Sequence, residues 1–155
     1  MAATVSALHI SPARGIAMKP VERIEVAAGH GIEGDRYRNS RHRHVSVQSA
    51  EALASAAEDF GKPINPGDTR RNITVTGIAV PTKPGERLTI GDVELEVVRI
   101  AAPCRLLDDV IGDGARVALR RKAGSIMRVL HGGPIALGDA VVAVGDEIDE
   151  PGVQS

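Results

Sequence analysis

Aromatic residues are almost missing from this chain. Its 155 residues include one tyrosine, Tyr37, one phenylalanine, Phe60, and no tryptophan. That removes the aromatic platforms on which single-stranded nucleic acid stacks. Cysteine is scarce too. A single thiol, Cys104, excludes an intrachain disulfide framework and any iron–sulfur cluster held wholly by the chain's own thiolates. Neither sign of charge dominates: 19 Lys and Arg stand against 20 Asp and Glu, a net charge of −1. No global field therefore draws the chain to nucleic acid or anionic lipid. No apolar run reaches the roughly 18 residues of a membrane span. The opening MAATVSALHISPARG lacks the basic start and apolar middle of a signal peptide. A soluble, cytoplasmic protein without nucleic-acid or membrane partners is expected. The length is that of one ordinary domain with a sizeable core. It is read as a single domain over 1–155, with a core at about 5–145 and an acidic tail at 146–155.

Turn pairs are abundant. Gly-Asp recurs at 34–35, 67–68, 91–92, 112–113, 138–139 and 145–146, and both residues tolerate the left-handed conformations of tight turns. Short β-branched stretches lie between them. TVSALHI (4–10), VERIEV (21–26), HVSVQS (44–49) and RNITVTG (71–77) each read as alternating strands. ERLTIGDVELEVVRI (86–100) is the clearest hairpin, two alternating strands around Gly91-Asp92. A second turn of similar form lies in PIALGDAVVAV (134–144). Short strands and frequent turns predict a closed or nearly closed β-barrel. Helices are few. SAEALASAAEDFG (49–61) has a serine cap, an acidic first turn and a closing glycine. RLLDDVIG (105–112) reads as a short turn of helix, and GARVALRRKAG (114–124) as a basic amphipathic helix with a solvated face.

Three segments carry candidate chemistry. Cys104 sits between Pro103 and Arg105 at the end of the apolar strand VELEVVRIAA. One reading is a small buried hydrophobe. The other is a thiol at a strand end whose pKa is lowered by Arg99, Arg105 and a following helix N-terminus, giving a nucleophile or soft-metal ligand. In GDTRRNITVTG (67–77), Arg70 and Arg71 could clamp a phosphate or another oxyanion bidentately, or form a solvated strand end. Asn72 beside them could cap a turn. In GHGIEGDRYRNSRHRHVSV (29–47), Asp35 belongs to a turn pair, and Arg36, Arg38, Arg41 and Arg43 with His42 and His44 make a dense cationic loop, or a solvated surface. The two histidines share a strand face but lack a third ligand at zinc spacing. LHGGP (130–134) lacks the lysine-serine ending of a nucleotide loop and reads as a turn.

Taken together and in order, GIEGDRY, GDTRRNITVTGI, RLTIGDVELEVVRIAAPC and GGPIALGDAV resemble the MOSC domains, named after the C-terminal domain of molybdenum cofactor sulfurases. The resemblance runs over roughly residues 5–145. It implies a mainly β fold: a mixed β-barrel of the MOSC, pyruvate-kinase-barrel-like type, with a few short peripheral helices. Cys104 matches the family's Pro-Cys cysteine, which in characterised members supplies a thiolate to molybdenum in a pterin cofactor, molybdopterin. Some stand-alone bacterial members and related mitochondrial reductases reduce N-hydroxylated bases or amidoximes. In the sulfurases the domain is attached to a pyridoxal-phosphate cysteine desulfurase. Two departures stand out. Many members have Gly-Glu-Asn where this chain has Arg70, Arg71 and Asn72. Many carry an Asp-Lys pair in the Gly-rich loop where this chain has NSRHRH, which puts Arg43 at the lysine position.

The resemblance implies a molybdenum-dependent oxidoreductase acting on an N-hydroxylated small molecule, with Cys104 as catalytic residue and metal ligand. The expected cofactor-binding residues are Asp35, Arg43, His44, Arg70, Arg71 and Asn72. Without thiolates for a cluster or a strand–Gly-x-Gly-x-x-Gly–helix unit for a dinucleotide, electrons would come from a separate donor protein. Two alternatives remain. One is a non-catalytic carrier of sulfur or cofactor working with a pyridoxal-phosphate-dependent desulfurase, with a transient persulfide on Cys104. The other is a degenerate barrel used only for binding.

Overall fold

A computed structural model describes residues 2–103 and 106–144. Cys104, Arg105 and the acidic tail lie outside the described residues. Eleven strands are described: β1 (Thr4–Ile10), β2 (Lys19–Val21), β3 (Arg23–Ala27), β4 (Gly31–Ile32), β5 (Val45–Ser49), β6 (Ile73–Thr76), β7 (Arg87–Ile90), β8 (Val93–Ile100), β9 (Ser125–His131), β10 (Gly133–Ala136) and β11 (Val141–Ala143). The helices are α1 (Ala50–Phe60), α2 (Leu106–Val110) and α3 (Ala115–Ala118), with a 3-10 turn at Pro66–Thr69. None is long and apolar enough to cross a membrane.

The fold is mainly β with few helices, as the sequence indicates, but the barrel is not closed. Eight strands form one mixed sheet in the order β11-β7-β8-β9-β5-β6-β1-β2, and β10, β3 and β4 form a second. The first sheet coils until Thr4 at the start of β1 meets Ala140 just before β11 in a single bridge. The reason lies in β1. Its far half already pairs with β2, from Leu8 against Val21 to Ile10 against Lys19. Only its first residues remain for the other edge, where Val5 N–H donates to Asp139 and Val141 N–H to Ala3.

Local sequence explains most elements. Ser49 caps α1 by accepting from Ala52 N–H at 3.1 Å, and Gly61 ends it in the left-handed conformation. The hairpin β7–β8 has the expected register, Ile90 opposite Val93 around Gly91-Asp92, with Gly91 at φ 58°. A register shift between Val5 and Ala7 lets both Val5 and Leu8 of β1 face the core despite their odd spacing. The turn at 134–144 departs from the expectation. β10 joins β3 in the small sheet, whereas β11 joins β7 in the large one. The basic helix is also shorter than its pattern, because Arg121 takes φ 62° and Gly124 φ 87° to turn the chain into β9.

The main core lies between the coiled strands and holds Leu8, Ile32, Ile73, Leu88, Leu95 and Met127 among others. β5 runs parallel to β6, and α1 forms the crossover between them. A second apolar cluster joins α1, α2 and α3 through Leu53, Ala56, Leu107 and Leu119. α2, which follows Cys104 in sequence, joins this helical layer through Leu107.

Candidate functional site

Asn72 immediately precedes β6 and is buried. A lone amide inside a protein must find partners for its donors and acceptors, and this one finds four. Its Oδ1 accepts from the backbone N–H and the hydroxyl of Ser46, both at 3.1 Å. Its Nδ2 donates to the carbonyl of His9 at 3.1 Å and to Oδ1 of Asp35 at 3.2 Å. Asp35, whose side chain is fully buried, also accepts from the N–H groups of Ser11 and Tyr37 and pairs with Arg36 at 3.4 Å. Ser46 and Gln48 explain why every residue of β5 is buried although its pattern alternates. Its polar face is covered too, with Gln48 bonded to Thr69 and Thr74.

Arg70 and Arg71 are consecutive but serve different places. Arg70 follows the 3-10 turn at φ 63°, a left-handed conformation uncommon for a residue with a side chain. It lines a cavity. Arg71 is only 5 % exposed. Its Nε donates to the carbonyl of Ala123 at 2.8 Å and an Nη to that of Ala102 at 3.3 Å. The Ala101 N–H in turn donates to Gly124. Arg71 and Gly124 thus fix the strand exit that leads, two residues beyond Ala102, to Cys104.

The cavity measures about 260 Å³. One wall is the β1–β2 loop with Gly15, Ala17 and Met18. A second is Gly67, Asp68 and Arg70 of the 3-10 turn, and a third is Leu106 and Val110 of α2. Its floor includes His9 at the end of β1. Gly67 permits this packing, since a Cβ there would sit 3.0 Å from the His9 ring. The loop is held by Ser11, whose hydroxyl lies 2.8 Å from the carbonyls of Ala13 and Ile16. Burial pushes the His9 pKa below its ordinary value of 6.5, against the opposing pull of Asp68.

The cationic loop contributes through Tyr37. The guanidinium of Arg43 lies 4.2 Å from the Tyr37 ring centroid and that of Arg36 4.6 Å. Arg36 also reaches Met18 and the carbonyl of Arg70, both on the cavity wall. His44 goes elsewhere. It is buried, and its Nδ1 accepts from Val129 N–H at 3.0 Å. Burial lowers its pKa, a backbone hydrogen bond at Ser40 opposes this, and the positive neighbours His30, Arg128 and His42 lower it further. It is a neutral histidine that ties β9 to the entry of β5.

The structure therefore brings Asp35, Asn72 and Arg70 to one region, with Arg43 linked to it through Tyr37 and Arg36. Arg71 braces the Ala102 strand exit, His44 lies under β9, and Cys104 is outside the described residues. Sequence reading placed Arg36 in the cationic loop but missed His9, Asp68 and Met18 as residues lining the cavity. Only His9 had a usable signal, an ionisable side chain at the end of an alternating strand. Among the described residues no group of three His, Cys, Asp or Glu is placed to hold a metal ion.

Comparison with known proteins agrees with this architecture. The MOSC domain family model matches residues 29–148. Among solved structures, the YuaD protein from Bacillus subtilis is similar with a TM-score of 0.81 and 21% identity, over 91% of this chain and 94% of that one. YiiM from Geobacillus stearothermophilus gives 0.73 and 21%, over 98% and 77%. YiiM from Escherichia coli gives 0.66 and 17%, over 90% and 69%. At these identities the likeness is one of fold. Comparison with curated proteins gives no match.

Proposed function

This chain belongs to the MOSC domain family, and from that premise we propose that it is a molybdenum-cofactor protein that reduces N-hydroxylated small molecules, with Cys104 as the protein's metal ligand. The observation that carries the reading is the bracing of the strand exit before Cys104. A buried guanidinium is committed to the Ala102 carbonyl, an arrangement that holds the approach to a ligand rather than a disposable loop.

The donor set fits the cofactor. A pterin brings its own sulfur ligands to the metal, so the protein has to add few. The described residues offer no metal cluster of their own, and a single thiolate at Cys104 is a soft ligand suited to the task. Arg70 lines the cavity and Arg43 lies over Tyr37 in the neighbouring loop, positive groups of the kind the cofactor's phosphate needs. When bound, the cofactor supplies a two-electron couple able to remove oxygen from nitrogen. The chain's own part is to hold the thiolate, neutralise phosphate, and admit substrate through the cavity beside α2. Electrons come from a separate redox protein whose acidic surface meets the cationic loop of 36–43, where Arg38 and Arg41 are exposed.

Metal analysis of protein made in cells that synthesise the cofactor tests this. About one molybdenum per chain is expected, and none in Cys104→Ser. Metal-free protein carrying a persulfide on Cys104 would overturn the reading and favour sulfur or cofactor carriage beside a pyridoxal-phosphate desulfurase.

A further inference from the structure

The cavity wall carries three polar groups of different character. Asp68 offers acceptors only, the Arg70 guanidinium offers donors only, and the His9 imidazole offers a single ring nitrogen. His9 is held by its backbone: its N–H donates to the Asn72 carbonyl at 2.8 Å, and its carbonyl accepts from the Asn72 side chain. Its Nδ1 is buried without a hydrogen-bond partner among the described residues, so the ring nitrogen a ligand can reach is Nε2, on the edge beside Gly67. The lining also includes Met18, Pro20, Leu106 and Val110. At about 260 Å³ the space falls just below the usual range for drug-sized ligands.

We propose that this cavity is a binding site for a small planar molecule bearing an amide-type edge, with His9 and Asp68 as its principal polar contacts. An amide edge places a donor beside an acceptor. Its N–H meets Asp68, its carbonyl meets Arg70 or the imidazole N–H, and its flat apolar body lies on Leu106 and Val110. A pure anion of the same shape faces the Asp68 carboxylate, and a pure cation faces Arg70. The inference rests on the function proposed above in taking this cavity as the substrate side. It adds which residues recognise substrate and what edge they read.

The test uses three isosteric probes, benzamide, benzamidine and benzoate, added to the full chain as purified, with its molybdenum content measured in parallel. Side-chain nitrogen resonances of the five histidines are followed by NMR. Benzamide is expected to shift His9 saturably, leave His44 in place, and bind more tightly than either charged probe. Asp68→Asn is expected to weaken it about tenfold, the loss of one charge-assisted hydrogen bond. No saturable shift of His9, tighter binding of either charged probe, or equal binding by the folded Asp68→Asn variant would overturn the proposal. The comparison of probes on the wild-type chain stands even if that variant fails to fold. Binding without molybdenum leaves this inference standing while removing the redox reading, and molybdenum without binding does the reverse.

Discussion

Asn72 and Asp35, 37 positions apart, meet in the interior through a hydrogen bond of 3.2 Å from Nδ2 to Oδ1. The contact joins the strand start that follows Arg71 to the turn that carries the cationic loop. Because the same Asn72 side chain also holds His9 and Ser46, one amide fixes three segments around the cavity. In a low-dielectric interior such a shared group is costly to disturb, since each partner is left unsatisfied.

Asn72→Ala is therefore expected to lower stability by about 2–4 kcal/mol, from several buried groups losing partners. Asn72→Asp should behave differently with pH. It sets a second carboxylate against Asp35, and like charges at contact resist joint ionisation. Its instability should grow as pH rises from 4 to about 7. Urea unfolding at several pH values checks both. A pH-independent deficit in Asn72→Asp would argue against the contact.

Arg71→Ala should weaken molybdenum retention although the guanidinium faces backbone carbonyls. Its removal frees the carbonyls of Ala102 and Ala123 and loosens the approach to Cys104. A stability loss of about 3 kcal/mol is expected for breaking charge-assisted buried hydrogen bonds. Arg71→Lys, lacking the planar fork, should recover only part of either effect. Metal content after dialysis and chemical unfolding measure the two losses separately, and full metal in the folded alanine variant would show that the brace is irrelevant to the ligand.

His44 gives the protein a pH-dependent term. Its folded pKa lies below the ordinary 6.5, so the unfolded chain binds the proton more readily. Its contribution to stability is complete above about pH 6.5 and declines as pH falls through the window between the unfolded and folded values. His9 acts in the same direction. His44→Asn keeps an acceptor for Val129 N–H but cannot titrate. Its stability curve should be flatter than wild type between pH 7.5 and 5, and an unchanged slope would assign the dependence to other groups.

Gly124→Ala should be among the most damaging single changes. A Cβ at Gly124 would overlap the carbonyl oxygen of Val47, and the residue sits at φ 87°. Backbone atoms of a central strand cannot yield as a side-chain tip can. A loss of about 3 kcal/mol or more is expected from strain and overpacking together. Thermal unfolding of Gly124→Ala beside Gly85→Ala is the measurement. Gly85 also has positive φ but has open space around its Cβ position, so the difference isolates the clash.

What the sequence determined was local: strand alternation, the Gly91-Asp92 hairpin, the capped helix ending at Gly61, and the family-like segments that brought Asn72 and Cys104 forward. Each of these depends on neighbours a few residues away, where periodicity and turn chemistry act directly. Tertiary structure decided the rest. Periodicity tells which face of a strand is buried but not which strand lies beside it, so the parting of β10 from β11 and the open barrel were hidden. Two adjacent arginines look alike in a sequence. They differ here because the left-handed turn at Arg70 aims one at a cavity and leaves the other to brace the strand exit at Ala102. His9 and Asp68 came to line one cavity only when β1 and the 3-10 turn packed together, with Gly67 small enough to let them touch.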